Sequence, residues 1–206
     1  MEGCLITFEG GEGSGKSTQL GHIADYLLKK GYPVIQTAEP GGTEVGKAIR
    51  ALLLNGKHDP ISSKAELLLY LADRAQHIEQ VVRPALKDRK VILCDRFTDS
   101  TLIYQGYARG IDFSEMKSLL SFAADAVVPD LTLLLDIDVE KGLLRLKKRA
   151  EINRFDREPH AFHQKVRQGY LALAKQGPSR IRLIFADQTE LSVFETIKKE
   201  VDALLP

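Results

Sequence analysis

A glycine-rich stretch near the start of the chain has the residue types and spacing of a phosphate-binding loop. In FEGGEGSGKST, residues 8–18, the residues Gly10, Gly15, Lys16 and Ser17 fit the pattern G-x-x-x-x-G-K-[ST]. The glycines allow successive backbone N–H groups to face one anion, and a following helix adds donors and a favourable dipole. Lys16 can reach the terminal phosphates of a nucleoside triphosphate, and Ser17 can bind Mg²⁺. A turn that only connects a strand to a helix, the alternative interpretation, does not need lysine and serine here.

A phosphate loop indicates a nucleoside triphosphate and does not by itself indicate a kinase. The motifs of a GTPase-like switch are missing from the sequence: no aspartate is followed by glycine three positions later, and NGKHD, residues 55–59, has the wrong spacing for guanine recognition. A regulatory ATPase remains an alternative. The residues predicted to surround the triphosphate are Gly10, Gly11, Glu12, Gly13, Ser14, Gly15, Lys16, Ser17 and Thr18.

Three further stretches carry polar side chains that could form a second site. EPGGT, residues 39–43, follows a predicted strand and includes a candidate helix cap. Asp95 ends another strand and can hold Mg²⁺, while Arg96 beside it can bind a phosphate with two N–H groups; a surface ion pair is the alternative. Tyr70 and Arg74 share one helical face, so the ring could stack on a base whose edge the guanidinium contacts. A core tyrosine beside an exposed arginine is the alternative for this pair.

The predicted elements place these stretches at one edge of a sheet. Alternation of apolar runs with helical patterns predicts an α/β fold: a three-layer, doubly wound, parallel five-stranded sheet. Ligands of such sheets bind beyond the carboxyl ends of the strands. A capping box, Ser62 or Ser63 with Glu66, is predicted at the start of one helix. The predicted strands are 4–9, 33–39, 90–95, 130–137 and 182–186, and the predicted helices are 16–30, 43–54, 62–88, 98–108, 113–124, 139–150, 159–176 and 189–204.

Length and composition favour one soluble domain over residues 1–206. The net charge of +1 gives no electrostatic argument for binding nucleic acid or a membrane. The sequence contains no apolar run of transmembrane length and no secretory pattern at its start. We therefore expect a cytoplasmic protein with neither nucleic acid nor membrane as a partner.

Taken together, the motifs resemble those of bacterial thymidylate kinases, which are P-loop nucleoside monophosphate kinases. The stretches that carry the resemblance span residues 8–156, and the most specific is DRF followed by STLIYQG. The resemblance implies Mg²⁺-dependent transfer of the ATP γ-phosphoryl group to dTMP, giving dTDP and ADP. Another nucleoside monophosphate or deoxynucleoside kinase is the nearest alternative. The quoted stretches are FEGGEGSGKST, AEPGGTEVGKAIR, LLLYLADRAQHIEQVVRPAL, DRFTDSTLIYQGYARG, PDLTLLLDI and GLLRLKKRAEINRFD.

The resemblance also implies roles for particular residues. Tyr70 stands where the family usually has a phenylalanine that stacks on thymine, and Arg74 matches the residue that contacts a thymine carbonyl. Tyr104 matches a position near the sugar. The implied metal ligands are Ser17 and Asp95. The implied dTMP-binding residues are Glu39, Pro40, Arg50, Tyr70, Arg74, Arg96, Ser100, Thr101, Tyr104 and Gln105, and the implied catalytic residues are Lys16, Arg96, Arg149 and Glu12.

Two features of the loop extend these expectations. A carboxylate at Glu12 would repel a triphosphate, but in this family an acidic residue here faces the second nucleotide; an exposed carboxylate balanced by Lys16 is the alternative. Some members carry an arginine where this chain has Gly13, so we expect positive charge from elsewhere, and the stretch GLLRLKKRAEINR offers Arg145, Arg149 and Arg154. The resemblance implies a mobile lid at about 141–158 that brings in ATP-binding arginines, Arg145 and Arg149. Arg149 is our first choice for the transferring phosphoryl, and a solvated basic face is the alternative.

The resemblance further implies a homodimer packed through helices, and apolar helix faces occur around 67–86 and 119–128. It also places the loop ADQTE, residues 186–190, near adenine.

Overall fold

Five strands form one parallel sheet, in the order β2-β3-β1-β4-β5, in the computed structural model. The structure describes residues 3–55, 60–147 and 153–205. The central strand β1 pairs with β3 on one side and β4 on the other. The predicted parallel sheet is confirmed, with strand boundaries that differ by at most one residue at each end. The strands are β1 (Cys4–Glu9), β2 (Val34–Ala38), β3 (Val91–Asp95), β4 (Leu131–Asp136) and β5 (Ile181–Phe185).

Helices cover both faces of the sheet. Successive residues of a strand point to opposite faces, and β1 divides accordingly. Ile6 and Phe8 are buried in one core cluster with helices at the two ends of the chain, whereas Leu5 packs in another cluster with Ile78 and Val82. The helices are α1 (Lys16–Lys29), α2 (Glu44–Leu54), α3 (Ser63–His77), α4 (Arg83–Lys87), α5 (Thr98–Thr101), α6 (Phe113–Ala124), α7 (Val139–Leu146), α8 (His160–Gln176) and α9 (Glu190–Leu204).

The helix predicted at 62–88 is continuous but irregular. A π-helical segment, Ile78–Val82, separates α3 from α4. Pro84 lies in the first turn of α4 and has no N–H to donate to the preceding turn, so a wider turn accommodates it. Sequence periodicity does not predict this change of pitch.

The predicted capping box is only half correct. Ser62 caps α3 by accepting a hydrogen bond from the backbone N–H of Ala65 at 3.3 Å. The Glu66 side chain instead contacts Gln105 and Arg154, because these groups offer buried donors that the helix start does not.

A second π-helical segment, Leu102–Ala108, continues α5. Its wider turn brings Tyr104 and Gln105 onto the same cleft as Thr101. Among the described residues, no helix is both long and apolar enough to cross a membrane.

Candidate active site

The glycine-rich loop connects β1 to α1 in a conformation that requires its glycines. Gly10, Gly13 and Gly15 have φ angles of 139°, 71° and 93°, which side chains disfavour. The Lys16 ammonium donates to the carbonyl oxygens of Gly10 at 3.0 Å and Gly11 at 2.9 Å. The helix therefore begins with its N–H groups and its lysine gathered at the carboxyl end of the central strand, as anion binding requires.

Lys16, Ser17 and Asp95 meet where β1 and β3 end. The Ser17 hydroxyl donates to Asp95 Oδ2 at 2.6 Å. Burial, and then the neighbouring charge of Arg96, lower the pKa of Lys16 to about 8. No group of three or more His, Cys, Asp or Glu residues that could hold a metal occurs in the described part of the chain. Ser17 and Asp95 form a partial set of oxygen ligands, which suits an ion that keeps water and phosphate ligands.

The main cleft runs from the glycine-rich loop across the carboxyl end of the sheet and has a volume of about 650 Å³. Glu12, Lys16, Ser17 and Asp95 line it. The ten residues predicted to bind the second nucleotide also line it: Glu39, Pro40, Arg50, Tyr70, Arg74, Arg96, Ser100, Thr101, Tyr104 and Gln105. Residues from three separate sequence motifs and α3 therefore share one cavity.

Arg74 is held rigidly at the wall of the main cleft. The residue is 1% exposed, so the alternative of an exposed arginine is wrong. Its Nε donates to Glu39 Oε2 at 2.7 Å, and its Nη2 donates to Thr101 Oγ1 at 3.0 Å. Glu39 is held in turn by His77, whose other ring nitrogen lies 2.7 Å from Thr37 Oγ1. Arg74 Nη1 is buried and has no partner within the described residues, so it is the donor left for a ligand.

Glu12 is paired on the main-cleft side of the loop. Its Oε1 accepts hydrogen bonds from Arg96 Nη2 at 2.7 Å and from the Tyr104 hydroxyl at 2.8 Å. Its side chain is 13% exposed, so a freely solvated carboxylate is ruled out. Burial opposes its ionisation, but the charges of Arg96 and Lys16 outweigh burial and hold the pKa of Glu12 at about 2. The Arg96 guanidinium also lies 4.9 Å from the centre of the Tyr104 ring.

A buried carboxylate that the sequence did not single out supports Arg96. Glu9 ends β1, and its Oε1 accepts from the backbone N–H groups of Phe97 at 2.8 Å and Ser100 at 3.2 Å. Its Oε2 accepts from Ser100 Oγ at 2.5 Å and the Tyr170 hydroxyl at 2.7 Å. These bonds hold the turn in which Arg96 adopts a φ angle of 68°, unusual for a residue with a side chain. The signal for Glu9 in the sequence was a charged residue at the end of a strand that is otherwise apolar except for Thr7.

A side cleft of about 370 Å³ lies on the other side of the glycine-rich loop. Ser14, Thr18 and Arg145 line it together with the loop that follows β5. Both terminal nitrogens of Arg145 donate to the carbonyl oxygen of Ala186, each at 3.3 Å. Arg145 is therefore associated with the ADQTE loop. Arg149, the first choice for charge neutralisation, lies outside the described residues.

Arg154, the last arginine of the stretch GLLRLKKRAEINR, is engaged away from the glycine-rich loop. Its Nη2 donates to Glu66 Oε2 at 2.5 Å and its Nε donates to the carbonyl oxygen of Leu53 at 3.0 Å. Sequence spacing placed Arg154 with the other basic residues, but a buried carboxylate on α3 determines its position.

The close contact between the glycine-rich loop and α7 was not predicted from the sequence. A Cβ atom on Gly142 would lie 2.5 Å from the carbonyl oxygen of Glu12, and one on Gly13 would collide with the backbone of Gly142. The two glycines allow α7 to touch the loop directly. A lone glycine within a helical pattern was the only signal.

The parallel sheet, the glycine-rich loop and the large cleft beside it define a P-loop nucleotide kinase. Residues 8–197 match the family model described as thymidylate kinase. The thymidylate kinase of Desulfovibrio desulfuricans is 48% identical over 209 residues, with 98% of this chain and 96% of that protein covered. That of Syntrophotalea carbinolica is 50% identical over 191 residues, covering 90% of this chain and 88% of that protein. The crystal structure of thymidylate kinase from Ehrlichia chaffeensis matches with a TM-score of 0.81 and 34% identity, covering 98% of this chain and 100% of that chain. The chain belongs to the thymidylate kinase family.

Proposed function

We propose that this chain transfers the γ-phosphoryl group of ATP to dTMP with Mg²⁺, giving dTDP and ADP for dTTP biosynthesis. Membership of the thymidylate kinase family supports ATP-dependent phosphorylation of dTMP. One observation carries the assignment of the sites: the glycine-rich loop and all ten predicted dTMP residues line the same cleft.

In the proposed complex, thymine occupies the part of the main cleft beside α3. Tyr70 offers an aromatic face for stacking. The uncommitted Nη1 of Arg74 donates a hydrogen bond to a thymine carbonyl, and this nitrogen needs such a partner because it is buried. Thr101 and Gln105 lie at the edge of the base, and Tyr104 lies near the sugar.

The dTMP phosphate lies between the arginines and the glycine-rich loop. Arg96 provides a guanidinium at the loop, and Arg50, which donates to the Pro40 carbonyl oxygen at 2.7 Å, provides a second in the same cleft. A phosphate oxygen that attacks is already ionised, so no strong general base is required. Positioning of the two nucleotides and electrostatic stabilisation by Lys16 and Arg96 account for catalysis.

The residues present fit a magnesium ion. Ser17 and Asp95 would hold it, with ATP oxygens and water completing the octahedral shell that Mg²⁺ prefers. When bound, the ion would neutralise charge on the phosphates. Ser17 and Asp95 otherwise fix each other's orientation at the start of α1.

ATP lies along the loop, with its base in the side cleft. Arg145 and the ADQTE loop line that cleft and support this assignment. We extend the proposal to one kinase domain over 1–206 with a mobile lid at about 141–158, in which Arg149 approaches the transferring phosphoryl. The missing side chain at Gly13 supports a source of charge outside the loop.

We also propose a cytoplasmic homodimer. Large apolar side chains are exposed on and after α6: Leu119 is 38%, Phe122 86% and Val128 66% exposed. Leu68 on α3 is 58% exposed, and α3 packs against α6. A surface of this kind is suited to self-association.

A coupled ADP-release assay tests the function. ATP and Mg²⁺ are offered with dTMP, dUMP, dCMP, dGMP, AMP or UMP in separate reactions. We expect release to depend on the monophosphate and to be fastest with dTMP. Preference for another monophosphate would support a related kinase and refute the base-site assignment. Slow release indifferent to every monophosphate would support a regulatory ATPase instead.

A further inference from the structure

Glu66 is a buried carboxylate outside the site described so far. It lies in the first turn of α3 and is 1% exposed. It does not line the main cleft, although Tyr70, one helical turn later, does. A carboxylate in this setting is costly unless several donors compensate it.

Three donors from two distant segments meet this carboxylate. Gln105 Nε2 donates to Oε1 at 2.9 Å, and Arg109 Nε approaches the same oxygen at 3.5 Å. Arg154 Nη2 donates to Oε2 at 2.5 Å. The two guanidinium groups have no hydrogen-bond acceptor, so Glu66 can act toward them only as an acceptor.

This geometry fixes the amide of Gln105. The oxygen and nitrogen of a glutamine amide have nearly the same shape, so a glutamine in a cleft can present either one. Glu66 accepts from the nitrogen, and the reverse orientation would bring the amide oxygen against a carboxylate oxygen. Gln105 is 1% exposed and lines the main cleft. Its carbonyl oxygen is therefore the atom that remains to meet a ligand.

We propose that Glu66 is a positioning residue for base selection, acting through the amide of Gln105. A carbonyl oxygen held at the base edge accepts from the ring N3–H of thymine or uracil and is repelled by the bare N3 of cytosine. Together with the Arg74 donor, it provides the donor and acceptor pattern of a thymine edge. This inference rests on the proposed function, since it assumes that the base lies in the main cleft.

The other partners keep Glu66 in place. Arg109 Nη2 also donates to Glu158 at 2.5 Å, and Arg154 Nε donates to the Leu53 carbonyl oxygen at 3.0 Å. The arginine side chains cannot swing away without losing these bonds. The carboxylate is thus a fixed reference for the amide beside it.

Kinetics with three nucleotides test the proposal. We expect Glu66→Gln to lower the ratio of kcat/KM for dTMP over dCMP by about tenfold or more, because its amide also allows the flipped orientation of Gln105. The ratio for dTMP over dUMP should not change, because both bases present the same N3–H. In a Gln105→Ala background, Glu66→Gln should have no further effect on the dTMP/dCMP ratio. Glu200→Gln, which removes a carboxylate paired with Arg182 at 3.0 Å, is the matched control.

Two outcomes would overturn the proposal in favour of a structural role. One is that Glu66→Gln lowers kcat/KM equally for dTMP and dCMP. The other is that Glu66→Gln changes the dTMP/dCMP ratio just as much in the Gln105→Ala background. A wild-type enzyme indifferent to the base would refute the proposed function, whereas selectivity that survives in Glu66→Gln would refute only the role of Glu66. If Glu66→Gln does not fold, the proposal is tested instead by hydrogen exchange of side-chain amides in the wild-type protein. We expect slow exchange for Gln105 compared with the exposed Gln36; equally fast exchange would overturn the proposal.

Discussion

At the scale of single residues, the chemistry depends on charged groups that are buried and fixed by neighbours. Arg74 is held by Glu39 and Thr101, and Glu12 by Arg96 and Tyr104. Such groups reorganise little when a ligand arrives, so their electrostatic effect is available at once. The consequences of a substitution therefore depend on the geometry of a group as much as on its charge.

Arg74→Lys should separate geometry from charge. Lysine keeps the positive charge beside Glu39 but cannot also reach Thr101 and the base, so we expect the KM for dTMP to rise roughly 10- to 100-fold with a smaller change in kcat. Steady-state kinetics measure the effect. The control is Arg182→Lys, whose guanidinium pairs with Glu200 on α9. An unchanged KM would exclude Arg74 from base recognition.

Asp73 should make stability depend on pH. Its Oδ1 accepts from the Gly41 N–H at 2.9 Å, whereas its Oδ2 is buried and unpartnered within the described residues. Burial, and then Glu39, raise the pKa of Asp73 from 3.8 to about 6. The folded state thus holds the proton more tightly than the unfolded chain, and stability falls as pH rises from about 4 to about 6.

Asp73→Asn removes this penalty. The quantity to compare is the melting temperature of the variant minus that of wild type. We expect this difference to be larger at pH 7.5 than at pH 4 by on the order of 2–4 °C. Calorimetry at both pH values measures it, with the exposed Asp25→Asn as the matched control. A difference that stays constant with pH would contradict the assignment.

At the scale of elements, irregular helices and close backbone contacts position the site. The π-helical segment after α5 places Tyr104 and Gln105 on the cleft, and α7 touches the glycine-rich loop through Gly142. Neither feature follows from residue propensity, because each arises from packing against elements distant in the sequence.

Gly142→Ala should therefore disturb the loop. A Cβ atom 2.5 Å from the Glu12 carbonyl oxygen forces α7 or the loop to move. We expect a loss of at least tenfold in kcat/KM for ATP. Gly21→Ala on α1 is the control: its Cβ atom would meet nothing within 4 Å, so stability should rise by about 0.4–1 kcal/mol with unchanged kinetics. Identical behaviour of the two variants would mean that the contact between α7 and the loop is not tight.

At the scale of the whole molecule, the sequence predicts the order of elements and the edge of the sheet where ligands bind. Gly10, Asp95 and Arg96 lie at or directly after strand ends, and any doubly wound sheet brings strand ends together. The contact of Glu66 with Gln105, and that of His77 with Glu39, could not be predicted, because Glu66 and His77 lie on helix positions whose burial depends on tertiary packing. Charge and spacing alone gave no basis to separate Arg154 from the other basic residues of its stretch.

The exposed apolar surface provides a test of assembly. In the proposed dimer Phe122, 86% exposed in the single chain, becomes buried. We expect Phe122→Glu to shift the sedimentation coefficient from that of a dimer to that of a monomer, because a buried unpaired charge is costly. Leu28→Glu, at a 52% exposed position on α1, should leave the dimer intact. A monomeric wild type would refute the dimer.

The contact between Gly13 and Gly142 also limits which substitutions this protein can accept during evolution. A side chain at position 13 cannot coexist with α7 at its present distance, since its first carbon already collides with the Gly142 backbone. An arginine at position 13 would be tolerated only if α7 moved away from the loop. Arg145 lies on α7 and would move with it. A positively charged side chain within the loop and a helix packed against the loop therefore exclude each other, and this chain has the packed helix.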